Sequence, residues 1–549
     1  MRNIFSLQDD PGSDTPKEVY GYRPYLLAFS ASWASAMYGY DSAFIGGTIY
    51  LPSFQRAFGL GSSSADQIAN PSSNIVSTFQ AGAFFGCIAG FFSAEKFGRK
   101  PVILGSAFVF IIGVVLQLIG RIGLLSLTGL AIGASSTLIP VYIAECSPAL
   151  IRGRLVGIFE IMLQTALVFG FWVNYGVAQN ISSQGNTQWH VLVAVQFVPA
   201  VLLLIIMPLF CSESPRWLVT KNRKTQARKA LSWVRNMPED HEFISREIMQ
   251  IEVSITLETE ANGGEQSTWK VFRELVAPGI RWRVSIGALL MVLQNLTGIN
   301  AINYYSPTIL RSIGFSGTDV GLLATGVHGI VKMMTTLVFM MFFVIKFGRR
   351  PALLIGAIGA MVAMFYLAGY SALSGSFEGT ASADAGGRAA LAMIYIYAIF
   401  YGFSWNGIPW IFASEMLPNR VRTLGMMIAV CAQWLAQFIV VYSLPHMINK
   451  ITWGTFLFFR ACTVVAFVFA FMFVPETKGV PLEDMDILLG ADAPLFARAA
   501  RKRYLEARDA GLSNLVLHMS QEKQQVEQEH FEVQRVKKKS WYCVRWSLG

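Results

Sequence analysis

The sequence contains twelve continuous apolar segments of about 20 residues each, the length that a helix needs to cross a bilayer. Of its 549 residues, 53% are hydrophobic and only 14% are charged, so lipid must surround most of the chain. A membrane barrel is excluded because its strands would alternate in polarity over about ten residues, whereas these segments are continuously apolar. The predicted fold class is therefore an all-α membrane protein with spans at 24–48, 72–94, 102–120, 122–144, 155–178, 190–210, 283–306, 320–345, 352–373, 389–412, 423–445 and 453–474.

Basic residues predict the orientation of these spans, because Lys and Arg remain on the cytoplasmic side of short loops. Most of the 44 Lys and Arg residues fall on one side if both termini are cytoplasmic. The net charge of +10 is then explained by an anionic inner leaflet, and no nucleic-acid partner is predicted. The predicted domains are an N-terminus at 1–23, a six-helix bundle at 24–210, a cytoplasmic linker with amphipathic helices at 211–282, a second bundle at 283–474 and a cytoplasmic tail at 475–549.

Three motif pairs recur in the same order at predicted cytoplasmic helix ends. The pairs are Phe97-Gly98-Arg99-Lys100 with Phe347-Gly348-Arg349-Arg350, Glu145-Cys146-Ser147-Pro148 with Glu415-Met416-Leu417-Pro418, and Ser212-Glu213-Ser214-Pro215-Arg216 with Pro475-Glu476-Thr477-Lys478-Gly479. Such internal similarity is typical of a transporter built from a duplicated helical unit. The sequence thus predicts two related bundles of six helices.

The charges in these motifs predict ion pairs that close an inner gate. One alternative is simple anchoring by basic residues, but that rule does not require the acids that accompany them. Ion pairs that form in one conformation and separate in another do require both signs. The predicted gate residues are Arg99, Glu145, Arg152, Glu213, Arg216, Arg349, Glu415, Arg422 and Glu476.

Together these motifs resemble the sugar porter family of the major facilitator superfamily, over about residues 22–486. Within that family the sequence is most similar to the fungal quinate permeases. That similarity is carried by Gly39-Tyr40-Asp41-Ser42-Ala43-Phe44-Ile45-Gly46, Phe171-Trp172-Val173-Asn174-Tyr175-Gly176, Gly298-Ile299-Asn300-Ala301-Ile302-Asn303-Tyr304-Tyr305-Ser306-Pro307 and Ser404-Trp405-Asn406-Gly407. The resemblance implies the major facilitator fold, two pseudosymmetric bundles with a substrate site between them.

The resemblance also implies several substrate ligands. When the ligand positions of the family are transferred residue by residue, those of the seventh span correspond to Gln294, Asn295 and Asn300. The aromatic ligand of the tenth span corresponds to Trp410. Amides offer donors and acceptors to hydroxyl groups, and an indole face can cover a ring. Packing between helices is the alternative for Trp410 and for the nearby Trp405.

The sequence departs from the family pattern at two positions within spans. Glu160 stands where sugar porters usually have a glutamine, and Lys332 stands at or beside a usual asparagine. A charge at the centre of a span costs about 2.5–3.5 kcal/mol, so Lys332 is interpreted as a substrate ligand, with snorkelling as the alternative. A cation suits a hydroxylated carboxylate such as quinate, whose carboxylate it would pair. His328, one turn before Lys332, is interpreted as a packing residue that could also tune the lysine.

Asp41 resembles the carboxylate that proton-coupled sugar porters protonate. Its arginine partner in those proteins corresponds here to Leu125, and the nearest basic residue is Arg121, beside a short junction between the third and fourth spans. A buried carboxyl without a cation tends to the neutral form, which is compatible with a proton carrier or with a facilitator. Both alternatives remain open.

The leading hypothesis is a cell-membrane importer of quinate or a related polyhydroxy carboxylic acid, working by alternating access with proton coupling. The alternatives are a hexose, pentose or uronate porter or facilitator, and a nutrient sensor on a transporter fold. No phosphate-binding glycine loop, metal-ligand cluster or nucleophile elbow is recognised, so neither an enzyme nor a cofactor or metal is predicted. The expected partners are a small polyol or hydroxy acid, a proton and the lipid bilayer.

Overall fold

The computed structural model describes residues 16–59, 65–120, 125–148, 151–261, 268–312, 318–374, 384–417, 419–478, 480, 485–490, 492–509 and 511. Regular structure within these ranges is helical. The first half contains α1 (Tyr22–Ala31), α2 (Trp33–Thr48), α3 (Pro52–Ala57), α4 (Ala65–Phe97), α5 (Arg99–Leu118), α6 (Leu125–Cys146), α7 (Arg152–Asn180), α8 (Thr187–Val195) and α9 (Phe197–Phe210).

The segment between the halves and the second half are also helical. The connecting helices are α10 (Pro215–Thr220), α11 (Lys224–Arg235), α12 (Glu242–Ala261) and α13 (Thr268–Leu275). The second half has α14 (Ile280–Leu296), α15 (Ile299–Ser312), α16 (Thr318–Val338), a π-helical turn (Phe339–Phe343), α17 (Val344–Phe347), α18 (Arg349–Leu373), α19 (Ala385–Gly402), α20 (Ile408–Glu415), α21 (Asn419–Ile451) and α22 (Gly454–Phe473). Two further helices follow in the tail, α23 (Met485–Leu489) and α24 (Ala497–Asp509).

Three of the spans that were expected to be continuous are broken, and a fourth, 190–210, is divided at Gln196 into α8 and α9 but remains one segment long and apolar enough to cross a membrane. In the described part of the chain, nine helical segments are long and apolar enough to cross a membrane, and α14 with α15 makes a tenth that bends by 41°. This bend occurs at Gly298, which has a φ of 95° that favours glycine. The expected spans 24–48 and 389–412 each consist of two shorter helices, divided at Ser32 and at 403–407, and no helix there is by itself both long and apolar enough to be among those nine.

Side chains are distributed as expected for a protein surrounded by lipid. Large apolar residues are exposed on the outer faces of the helices, including Phe85, Phe108 and Phe365. In contrast, many amide and hydroxyl side chains are buried between the helices. Polar residues in a membrane protein normally face the interior of the bundle or a cavity, so the functional groups are expected there.

Glycines allow α4 and α6 to pack with their backbones in contact. Gly129 and Gly133 of α6 lie against the carbonyl groups of Phe79 and Ala83 of α4, and a Cβ atom at either glycine would overlap the facing oxygen. Gly86 of α4 lies in the same way against the backbone of α6. Small residues commonly permit such close approach between membrane helices.

Candidate functional site

A cavity lies between the two halves and is lined by residues of both. All six residues predicted to bind substrate line it, and they come from α7, α14, α15, α16 and α20. The structure therefore brings together residues that are far apart in the sequence, namely Glu160, Gln294, Asn295, Asn300, Lys332 and Trp410.

Lys332 is held inside the protein. Its side chain is 1% exposed, and its Nζ donates a hydrogen bond to Asn303 Oδ1 at 3.2 Å. Snorkelling to an interface, the alternative interpretation of this lysine, is therefore not observed. The ammonium group borders the cavity and has the donor geometry to bind a carboxylate there.

Glu160 is the second buried charge of the cavity. Its Oε1 accepts hydrogen bonds from Gln164 Nε2 and from Asn406 Nδ2, both at 2.8 Å. Asn406 also donates to Thr336 Oγ1 at 3.1 Å, one helical turn from Lys332. These amides connect α7 of the first half to the broken tenth span and to α16 of the second half, across the cavity.

Amide groups form much of the remaining polar wall. Gln294 Nε2 donates to the backbone oxygens of Trp405 and Asn406 at 2.8 and 2.9 Å, and Asn300 Nδ2 donates to Asn295 Oδ1 at 2.6 Å. Three buried amide oxygens on the cavity have no hydrogen-bond partner within the described residues, those of Gln164, Gln294 and Gln433. Buried polar atoms are normally paired, so these oxygens are suited to accept hydrogen bonds from ligand hydroxyls.

The two tryptophans of the tenth span have different surroundings. Trp410 borders the cavity, with its ring centre 5.7 Å from that of Phe159. Trp405 does not border it. Its indole is fully buried and Nε1 donates to the backbone oxygen of Leu353 at 3.0 Å, which is the packing role that had been its alternative.

Several lining residues were not predicted as ligands. Gln164 lies four residues after Glu160 and Asn303 lies three residues after Asn300, which are spacings that place side chains on one helix face. Gln433 and Gln437 of α21 follow the same rule and were not recognised. Asn406 faces the cavity from the segment between α19 and α20, where helical periodicity provides no signal.

Asp41 is buried in α2, with 2% of its surface exposed, beside the cavity residue Ser42. Its Oδ1 has no hydrogen-bond partner in the described ranges. Leu125, which replaces the family arginine, is also buried. The junction at Arg121 lies outside the described residues.

The repeated motifs form equivalent clusters at the same end of each half. Arg99 pairs with Glu145 at 3.2 Å, and Arg349 pairs with Glu415 at 3.0 Å. The backbone N–H groups of the same arginines donate to Glu213 and Glu476, each at 3.0 Å. In both halves a glycine with positive φ precedes the arginine. A Cβ atom at Gly98 would collide with Glu213, and a Cβ atom at Gly348 would collide with Glu476.

Arg422 connects these clusters. It lies near Arg152 and Arg216 of the first half and near the glutamates of both pairs, Glu145 and Glu415. Glu213 illustrates the local electrostatics: burial raises the pKa of its carboxyl, while hydrogen bonds from the N–H groups of Ser214, Lys100 and Arg99 act in the opposite direction. The nine predicted gate residues therefore lie in one region, at the end of the two halves where the repeated motifs meet.

The two halves also touch on the opposite side of the cavity. Gly46 of α2 lies against the backbone of Asn303 and Tyr304 in α15, and Tyr50 Oη is 2.8 Å from Thr308 Oγ1. A second, smaller cavity lies here, and Asn303 borders both cavities. The large cavity is therefore located between an inner and an outer contact of the two halves.

A central polar cavity between two bundles, with contacts between the halves on both sides, defines a membrane transporter. The chain belongs to the family described as sugar (and other) transporters, whose model matches residues 27–489. The predicted family is confirmed, and so is the twelve-span architecture, because solved transporters of this fold align over most of the chain.

The similar proteins include fungal permeases. A quinate permease of Neurospora africana is 40% identical, with 88% of this chain and 92% of the permease covered. A quinate permease of Emericella nidulans is 41% identical with the same coverage. Among solved structures, the proton:xylose symporter XylE bound to 6-bromo-6-deoxy-D-glucose aligns with a TM-score of 0.72 and 26% identity, covering 85% of this chain and 99% of that one. The partially occluded inward-open XylE from E. coli aligns with a TM-score of 0.69 and 26% identity, covering 84% and 100%.

Proposed function

We propose that this protein imports quinate or a related polyhydroxy carboxylic acid across the cell membrane by alternating access, coupled to protons. The observation that carries the proposal is Lys332, a buried cation on a cavity whose other groups are mostly amides and phenols. A substrate carboxylate would bind Lys332, and substrate hydroxyls would donate to the unpartnered oxygens of Gln164, Gln294 and Gln433. The names of the similar fungal permeases support the same substrate class.

The proposed arrangement in the membrane has both termini in the cytoplasm. Basic residues of the connecting and terminal segments would then face the anionic inner leaflet. The bundles at 24–210 and 283–474 would rock about the cavity, with the charge clusters closing the cytoplasmic side.

Uptake of labelled quinate and glucose into cells that lack their own porters tests the proposal. The expected result is uptake of quinate in excess of glucose. Uptake of glucose alone would favour the hexose porter instead. No uptake of quinate, glucose, xylose or glucuronate, despite normal surface expression, would favour the nutrient sensor.

Glu415→Gln is expected to lower the maximal rate of transport by roughly tenfold without changing KM. Arg349 Nη2 contacts both carboxylate oxygens of Glu415, at 3.0 and 3.3 Å, and the pair lies away from the cavity. Losing a charge-assisted hydrogen bond of about 1.5–3 kcal/mol would destabilise the closed inner gate. Initial uptake rates over a range of substrate concentrations measure this effect. The control is Glu242→Gln, which removes a glutamate from an exposed ion pair with Arg246, and equal rates for both variants would contradict the gate assignment.

Asp41→Asn is expected to lower the alkalinisation of the medium that accompanies substrate uptake. Asparagine cannot carry a proton, and Asp41 is a buried carboxyl with an unpartnered oxygen beside the cavity. An external pH electrode measures the change after substrate is added to unbuffered cells. Asp384→Asn is the control, because Asp384 is an exposed helix cap of α19, and an identical signal from both variants would remove Asp41 from the coupling mechanism.

A further inference from the structure

The lining of the cavity includes one basic and one acidic side chain, whose opposite charges can balance each other. Among the described residues that line it, Lys332 and Glu160 are the charged ones, and they interact electrostatically. Both are buried, with 1% and 5% of their surfaces exposed. A buried charge is stabilised mainly by an opposite charge and by hydrogen bonds, so each of these groups depends on the other.

A substrate carboxylate disturbs this balance. Once it binds Lys332, the cavity contains two carboxylates and a single ammonium group. The positive charge of Lys332 is then shared between the substrate carboxylate and Glu160. Two carboxylates that share a site of low polarity favour protonation of one of them. The carboxylate bound directly to Lys332 is stabilised as an anion, which leaves Glu160 as the group to be neutralised.

We infer that Glu160 takes up a proton when the substrate carboxylate binds Lys332, so that the anion and the proton occupy the cavity together. This inference rests on the proposed function. An O–H bond forms on the Glu160 carboxyl with a proton from the extracellular water, and the same bond breaks when the proton is released to the cytoplasmic water after the substrate has left. No electrons are transferred.

The hydrogen bonds around Glu160 suit both of its protonation states. The ionised form accepts two amide N–H bonds, from Gln164 and Asn406. The protonated form needs an acceptor, and the Oε1 atom of Gln164 is a buried acceptor that no described residue contacts by a hydrogen bond. Rotation of the Gln164 amide would present this oxygen to the new O–H group.

The other ionisable groups that face Glu160 do not compete for this role. Tyr38 of α2 and Tyr401 of α19 interact with it electrostatically, and Tyr304 of α15 borders the same cavity. Phenols keep their protons near neutral pH, and so does a lysine ammonium that is paired with carboxylates. In the described lining, α14 and α21 contribute amides and α20 contributes Trp410. Asp41 does not border the cavity.

Proton uptake on binding tests the inference directly. The purified full-length protein in detergent is mixed with quinate in weak buffer containing a pH indicator, while calorimetry measures binding. We expect the parent protein to take up about one proton more per quinate bound than Glu160→Gln does. Over the pH range in which Glu160 is ionised in the free protein and protonated in the complex, the affinity of the parent for quinate should fall with rising pH by about tenfold per pH unit more than that of Glu160→Gln.

Two further arms keep the result decisive. The methyl ester of quinate is a neutral analogue, so its binding to the parent protein should take up no proton, and equal uptake for the acid and the ester would overturn the inference. This arm does not depend on any variant folding.

The second arm compares two variants. Loss of proton uptake in Asp41→Asn but not in Glu160→Gln would assign the proton to Asp41 and would also overturn the inference. A parent protein that binds no quinate refutes the proposed function, whereas quinate binding without proton uptake refutes only the role of Glu160.

Discussion

Replacing Lys332 with glutamine is expected to raise the KM for quinate by about ten- to a hundredfold. Lys332 Nζ is the cationic donor of the cavity, and a hydrogen bond to a charged group contributes about 1.5–3 kcal/mol. The glutamine amide can still bind Asn303, but it cannot neutralise a carboxylate. It also leaves Glu160 without its opposite charge, which makes a second anion still less favourable in the cavity.

The measurement is concentration-dependent uptake of labelled quinate at equal surface expression. His328→Gln is a matched control, because His328 is equally buried one turn before Lys332 but does not border the cavity. We expect that control to transport quinate with a KM close to that of the parent protein. An unchanged KM in Lys332→Gln would contradict the proposal that the substrate carboxylate binds Lys332.

Replacing Gly133 with valine is expected to abolish accumulation of correctly folded protein. A Cβ atom at this position would overlap the backbone oxygen of Ala83, and neither helix backbone can move without separating α4 from α6. Overpacking of a well-packed core costs about 1–3 kcal/mol, and a clash with backbone lies at or above the upper end. Folded proteins are stable by only about 5–15 kcal/mol, so this cost is a large fraction of the total.

The folded fraction can be measured by size-exclusion chromatography of a fluorescent fusion after detergent extraction. Gly105→Val is the matched control. It introduces the same side chain into the neighbouring α5, where a Cβ atom meets no other atom within 4 Å. Equal monodisperse peaks from the two variants would show that the contact between α4 and α6 tolerates expansion.

The twelve spans and the duplication were predictable because both depend on local composition. A run of about 20 apolar residues indicates directly that the segment lies in lipid. The charges and glycines of the three motif pairs indicate where helices end. The breaks in the first, seventh and tenth spans were not predictable from the same signal. Glycines and polar residues mark these breaks, but they also occur inside continuous helices, as Gly86 does in α4, and the backbone at the breaks is set by tertiary packing, as at Gly298 and at 403–407.

The cavity was predictable only in part, for a related reason. Lys332 was found because a charge in an apolar helix is conspicuous, and the amides of α14 and α15 were found through the family resemblance. Gln164 could have been found from its four-residue spacing to Glu160, but nothing in the segment of Asn406 indicates that it meets them. That meeting depends on how α7 is rotated and on where the chain between α19 and α20 turns.

Asn303 gives the arrangement an additional property. Its side chain is the hydrogen-bond partner of Lys332, and the same residue borders the small cavity beside the outer contact of the two halves. Its backbone oxygen also lies against Gly46 of the opposite half. A ligand group that replaced Asn303 at Lys332 would therefore release a side chain beside the contact of α2 with α15. Through this residue, binding in the central cavity would be linked to that contact between the two halves.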